Sequence, residues 1–106
     1  MVYRKNSDFY VMLLGGKFVT LNPAGLRVDF DTLAAGSDSV SFVCRASPFG
    51  SQRVLCRREF RGLQSYWYGF ALVSGRLRKV YIGKDLDYQA VFGAAFRFYF
   101  MSKEAF

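Results

Sequence analysis

Apolar residues fall in short runs, each stopped by glycine or a turn-forming residue. That punctuation predicts an antiparallel sheet of successive hairpins. Phe9–Leu14 and Lys17–Leu21 flank Gly15-Gly16. A two-residue Gly-Gly loop admits the positive φ angles of a primed turn, so the pair reads as a tight hairpin. Asn22-Pro23-Ala24-Gly25 follows as a turn, and residues 26–30 as a third strand. Residues 32–39, small and polar, read as a loop or one short helical turn.

Residues 40–45 and 53–60 form a second predicted pair, joined by residues 46–52. If that loop is symmetric about Gly50, Cys44 lies opposite Cys56. The third hairpin carries the clearest signal: residues 66–73 and 76–82 flank Ser74-Gly75. Pairing Val73 with Arg76 places Trp67, Gly69, Ala71 and Val73 on one face with Arg76, Arg78, Val80 and Ile82. Tyr66, Tyr68, Phe70 and Leu72 then share the other with Leu77, Lys79 and Tyr81.

The tail carries two periodicities. Asp85 or Asp87 suits a helix N-cap, and Tyr88, Phe92, Phe96, Tyr99 and Phe100 recur at helical spacing. Residues 96–100 also alternate with period two, in residue types that favour a strand, and Gly93 stands where a helix could end. The reading adopted is a helix starting near Asp85, its second half helical or extended. The expected fold is α+β: a single small domain over residues 1–106, dominated by an antiparallel sheet of hairpins with a C-terminal helix.

Composition supports a packed domain. The 106 residues are 52% hydrophobic and 19% aromatic, too apolar for a disordered basic tail and long enough for a core without metal or disulfide staples. The chain contains no His, which removes His-based triads, His metal ligands and the ordinary physiological proton shuttle. No cofactor and no metal is expected, and the chain is not expected to be an enzyme.

Charge changes the picture more. The net +7 is segregated: residues 1–44 are neutral, residues 85–106 carry −1, and residues 45–84 carry +8, with Glu59 their only acid. A concentrated basic region favours polyanions. The plainer reading is a solvated basic face that keeps an aromatic-rich domain in solution.

The candidate nucleic-acid contacts are Arg53, Arg57, Arg58, Arg61, Arg76, Arg78, Lys79 and Lys84, interleaved with Tyr66 and Tyr81. Trp67 and Tyr68 lie among them. Cationic groups neutralise phosphates, aromatic faces stack on exposed bases, and a two-stranded ribbon can enter a major groove. Trp67 and Phe70 read as core rather than as stacking platforms.

The stretch Tyr66-Trp67-Tyr68, then Val73-Ser74-Gly75-Arg76-Leu77-Arg78-Lys79, then Tyr81-Ile82-Gly83-Lys84-Asp85-Leu86, resembles a basic hairpin of small proteins in cyanobacteria, archaea and mobile elements. More loosely, it is similar to the three-stranded arm-type DNA-binding domain of tyrosine recombinases. The shared order is aromatic strand, Gly turn, basic strand, Tyr-(Ile/Leu)-Gly, then helix. The resemblance implies DNA or RNA contact by Arg76, Arg78, Lys79 and Lys84. It covers about twenty residues. The first strand departs from the pattern, because Gly69-Phe70-Ala71-Leu72 lacks the usual charge, which points to burial of that strand.

Other candidates are thinner. Asp29 and Asp31 would point the same way on a strand, as metal-binding carboxylates do, but the reading adopted is a solvated strand end. Cys44 and Cys56 fit no zinc pattern and read as reduced core thiols, Cys56 at most mildly acidified by Arg57 and Arg58. Gly15-Gly16-Lys17 lacks the spacing of a phosphate loop. The amino-terminal apolar run is too short for a leader, and no run is long enough to span a membrane. The expectation is a cytoplasmic, basic nucleic-acid-binding protein without membrane contact. The alternative is a protein-interaction module, an accessory subunit or a phage- or plasmid-encoded regulator or inhibitor, with a homodimer through its aromatic surface as one form of it.

Overall fold

A computed structural model describes residues 8–46 and 50–103. The basic amino-terminal start at residues 1–7 and residues 47–49 of the second loop lie outside the described residues. Seven strands form one sheet in the order β3-β2-β1-β4-β5-β6-β7. They are β1 (Phe9–Leu14), β2 (Lys17–Leu21), β3 (Arg27–Val28), β4 (Ser39–Ala46), β5 (Gly50–Arg61), β6 (Gln64–Val73) and β7 (Arg76–Gly83). Two helices complete the chain, α1 (Phe30–Ala35) and α2 (Tyr88–Lys103). The protein is α+β, a mostly antiparallel sheet with a C-terminal helix.

The first and third hairpins form as their turns dictate. Leu14 pairs with Lys17 across Gly15-Gly16, whose φ angles are 58° and 81°. Val73 pairs with Arg76 across Ser74-Gly75, with φ angles of 53° and 81°. A register shift between Trp67 and Tyr68 bulges the far end of the third hairpin, and Ile82 still packs against the core.

Two expectations are corrected. Residues 26–30 are not one strand: only Arg27 and Val28 are extended, and Phe30 begins α1. The Asp29 carboxylate accepts from the Thr32 amide at 2.9 Å and the Thr32 hydroxyl at 2.6 Å, capping the helix. Second, Cys44 pairs with Gln52 and Cys56 with Val40, because the ladder closes with Ala46 opposite Gly50 rather than about Gly50. Both thiols are buried and free. Within the mostly antiparallel sheet β1 joins β4 in parallel, Phe9 beside Phe42 and Met12 beside Arg45.

The tail is helical from Tyr88 through Lys103, including the half with strand-like alternation. Asp87, not Asp85, caps it: its side chain accepts from the Ala90 amide at 2.8 Å, and its carbonyl from the Val91 amide. Val91, Ala94, Ala95 and Phe98 are buried at helical spacing, while Gly93 is exposed and the helix runs through it. Burial of a helical stripe outweighs the local strand preference of residues 96–100.

Helix α2 lies on one face of the sheet. Val11, Phe42, Cys44, Val54, Cys56, Trp67, Ala71, Val73 and Val80 are buried with it. Gly69 gives α2 its close approach, since a Cβ there would come within 3.2–3.4 Å of Val54, Val80 and Ala94. An aromatic stack locks the helix start, with Tyr88 4.4 Å from Phe30 and 5.0 Å from Phe18. The Tyr88 hydroxyl is 2.6 Å from that of buried Thr20. Among the described residues, no helix is long and apolar enough to cross a membrane.

Candidate nucleic-acid interface

Strand alternation divides the basic cluster between the two faces of the sheet. On β5, Val54 and Cys56 point to the helix and Arg53, Arg57 and Arg61 point away. On β6 and β7, Tyr66, Tyr68, Phe70, Lys79 and Tyr81 also lie away from the helix. No described helix covers this face. Residues 64–70 of β6 lie against β5, and residues 67–73 against β7, so the rings and cations sit in cross-strand rows. Arg57, Tyr68 and Tyr81 form one row, and Leu55, Phe70 and Lys79 the next.

The rows are internally braced. Lys79 Nζ lies 4.3 Å from the Tyr68 ring centroid and 5.6 Å from that of Phe70. The Arg57 guanidinium is 5.9 Å from the Phe70 centroid. Tyr81 contacts Tyr68 edge-on at 5.6 Å and Tyr66 at 6.2 Å. Arg61 donates to the Tyr68 hydroxyl at 3.4 Å. Among the described residues two acids reach this face: Glu59 lies 3.2 Å from Lys79, and Asp8 pairs with Arg53. Both pairs are partly solvated and worth at most about 1 kcal/mol each. Arg57 makes no ion pair among the described residues.

The face extends toward β1. Arg45 sits 4.9 Å from the Tyr10 ring centroid, and Val43 is paired with both Tyr10 and Arg53. Neither Tyr10 nor Arg45 was among the sequence candidates. Arg45 comes through the β4–β5 hairpin, and Tyr10 through the non-local β1–β4 pairing.

Four candidates lie elsewhere. Arg58 faces the helix side, with its guanidinium 4.8 Å over Trp67. It donates to the carbonyls of Ala34 and Ser37 at 3.1 and 3.2 Å, and Asp38 stands 3.7 Å from its Nε. It thus closes the C-terminal end of α1, where orphan carbonyls need donors, and is not a free phosphate ligand. Arg76 and Arg78 pair with Val73 and Ala71 on the helix side and are exposed beyond it. Lys84 lines an open cleft of about 380 Å³ with Arg58, Trp67, Asp31 and Asp85.

Two further readings change. Trp67 is core, but Phe70 is only half-buried on the uncovered face, and Leu72 beyond it is exposed. The uncharged first strand of the hairpin is therefore buried through alternate residues only. Cys56 is not acidified: burial first, then nearby Cys44, pushes its pKa up, and burial raises that of Cys44 to about 12. Arg57 points to the opposite face and leaves the thiol in apolar surroundings. No family model matches the chain, and neither a curated protein nor a solved structure matches it.

Proposed function

We propose that this protein binds nucleic acid through the uncovered face of its sheet, with Arg53, Arg57, Arg61 and Lys79 contacting phosphates and Tyr66 and Tyr81 alongside. One observation carries the reading: strand alternation gathers these cations and tyrosines onto the face that no described helix covers. A face serving solubility alone has no need to hold half-buried rings against its cations. The protein acts as a binder, not an enzyme. Asp29 supports this, since its carboxylate is engaged as a helix cap rather than as half of a metal-binding pair.

The test is titration of labelled DNA and RNA at two salt concentrations. Binding should weaken steeply with salt. An Arg57→Ala/Arg61→Ala/Lys79→Ala variant should lose more affinity than an Arg76→Ala/Arg78→Ala variant. A larger loss from the Arg76→Ala/Arg78→Ala variant would shift the contact to the β6–β7 tip. Absence of binding at low salt would defeat the proposal.

One observation favours a second reading, a protein-interaction module. Leu72 and Leu77 are paired on the uncovered face and exposed at 73% and 68%. That apolar pair continues from Phe70 and would suit a protein partner or a second copy. Light scattering on the eluting peak in size exclusion tests for the second copy, and Leu72→Ser should abolish any dimer it contributes to.

A further inference from the structure

Resting on the nucleic-acid reading, we infer that the occupant of this face is a single-stranded polynucleotide, held by base stacking on Tyr81 with its phosphates against Lys79 and Arg57. Tyr81 is 52% exposed, on the side of β7 away from the helix. Its ring plane stands at 65° to that of Tyr68 and 50° to that of Tyr66, so neither ring is stacked flat on it. Tyr68 itself is capped by Lys79 at 4.3 Å, so Tyr81 is the ring most open to a base.

Cation placement fits the same occupant. Lys79 is held by Glu59 on one side and by the Tyr68 and Phe70 rings on the other. Arg57 rests near Phe70, two strands in from Tyr81 with Tyr68 between them. A base on Tyr81 therefore has positive charge two residues along β7, at Lys79, and across β6, at Arg57, to meet its phosphates. Rings and cations together recognise two groups, a flat π-face and a phosphodiester.

A duplex presents only one of these. Its base faces are stacked inside, and rings on a broad sheet meet only groove edges and backbone. The part of β6 that carries Tyr66, Tyr68 and Phe70 is bonded to β5. Those rings therefore lie within the sheet rather than on a free ribbon that could enter a groove. An acidic protein offers charge without the stacked plane.

The experiment uses fluorescence anisotropy with the full chain and labelled 12-nucleotide oligothymidylate, oligouridylate and a blunt DNA duplex of equal length, with polyglutamate as competitor. Trp67 emission checks the fold of each variant. Binding of either single strand at least about tenfold tighter than the duplex supports the inference, and the tighter arm names the sugar. Tyr81→Ala should weaken single-strand binding by about 5- to 100-fold, the usual worth of one stacked base, and Tyr81→Phe should stay within about twofold of the parent. Duplex binding as tight as single-strand binding, an indifferent Tyr81→Ala, or competition by polyglutamate equal to that by oligonucleotide each overturns the single-strand inference. If Arg57→Ala still weakens oligonucleotide binding in those cases, the broader nucleic-acid reading survives. Absence of binding to every nucleic acid overturns both.

Discussion

Consecutive residues of β5 lead different lives. Arg57 stands on a face with no helix over it, near a ring and free of ion pairs among the described residues. Arg58, its neighbour, lies under the helix side with two carbonyls, an aspartate and Trp67 around it. The two side chains have the same chemistry, and a two-residue period decides that one supports the fold while the other meets solvent. Across the sheet, the same division puts Val54, Cys56, Trp67, Ala71 and Val80 under the helix and gathers Arg57, Tyr68, Lys79 and Tyr81, with Phe70, Leu72 and Leu77, on the open face. Total charge therefore says little about this chain until each cation is assigned a side.

The largest effect that would test the division comes from the covered side. Phe98→Ala removes a fully buried ring between α2 and the sheet, and should cost about 3–5 kcal/mol in chemical denaturation. Tyr81→Ala, also an aromatic truncation but on the open face, should stay well below that. Similar losses for the two would mean that the open face is packed against something in solution. Next is the arginine pair. Arg58→Ala should lower stability by about 1–3 kcal/mol, because helix-end carbonyls lose a charged donor. Arg57→Ala should change stability by no more than about 0.5 kcal/mol, with its loss appearing in salt-dependent oligonucleotide binding instead.

Smaller effects sharpen the contrast through titration. Folding raises the thiol pKa of Cys44 to about 12 and that of Cys56 further. The unfolded thiols ionise first, so the thiol contribution to stability is complete below about pH 8.5 and falls away as pH rises toward 12. Below that range both thiols should resist an aromatic disulfide reagent until the chain unfolds, and a Cys44→Ala/Cys56→Ala variant should show a flatter alkaline limb. The smallest expected effect is at Asp29, whose pKa lies below the ordinary 3.8 chiefly through the Thr32 hydroxyl and then its amide. Folding lowers it, so its contribution is present above the ordinary carboxylate value and is lost as pH falls through the folded one. Asp29→Asn should flatten the acid limb of stability below about pH 4, read by denaturation across pH.

Much of this was legible where the information is local. Gly15-Gly16 and Ser74-Gly75 each specify their hairpin through turn geometry, and the two-residue alternation of residues 66–82 sorts Tyr68 from Trp67 without reference to the rest of the chain. What escaped depends on distant partners. The parallel β1–β4 join brings residues 9–12 beside residues 42–45, and nothing in either segment announces the other. Phe30 is apolar in a segment that looks extended, and becomes helical because Phe42 and Tyr88 offer it a stacked pocket. The basic cluster was visible as a cluster. Its partition was not, because Arg58 is recruited by carbonyls of α1, a helix that the sequence only half suggested.

The sheet also has two ends. At one is β3, two residues long, and at the other β7, whose Arg76, Arg78 and Lys79 line an outer strand with no described strand beyond it. A short strand and a charged one are both poor templates for another chain, so the same arginines and lysine act as a barrier to edge-to-edge growth. That barrier is electrostatic and can be neutralised. A polyanion at charge-matching stoichiometry would screen β7 as it bound, so turbidity should peak near neutral complexes and clear again in excess ligand or at high salt. Solubility of the bound protein then becomes a property of the complex, set at the margin of the sheet.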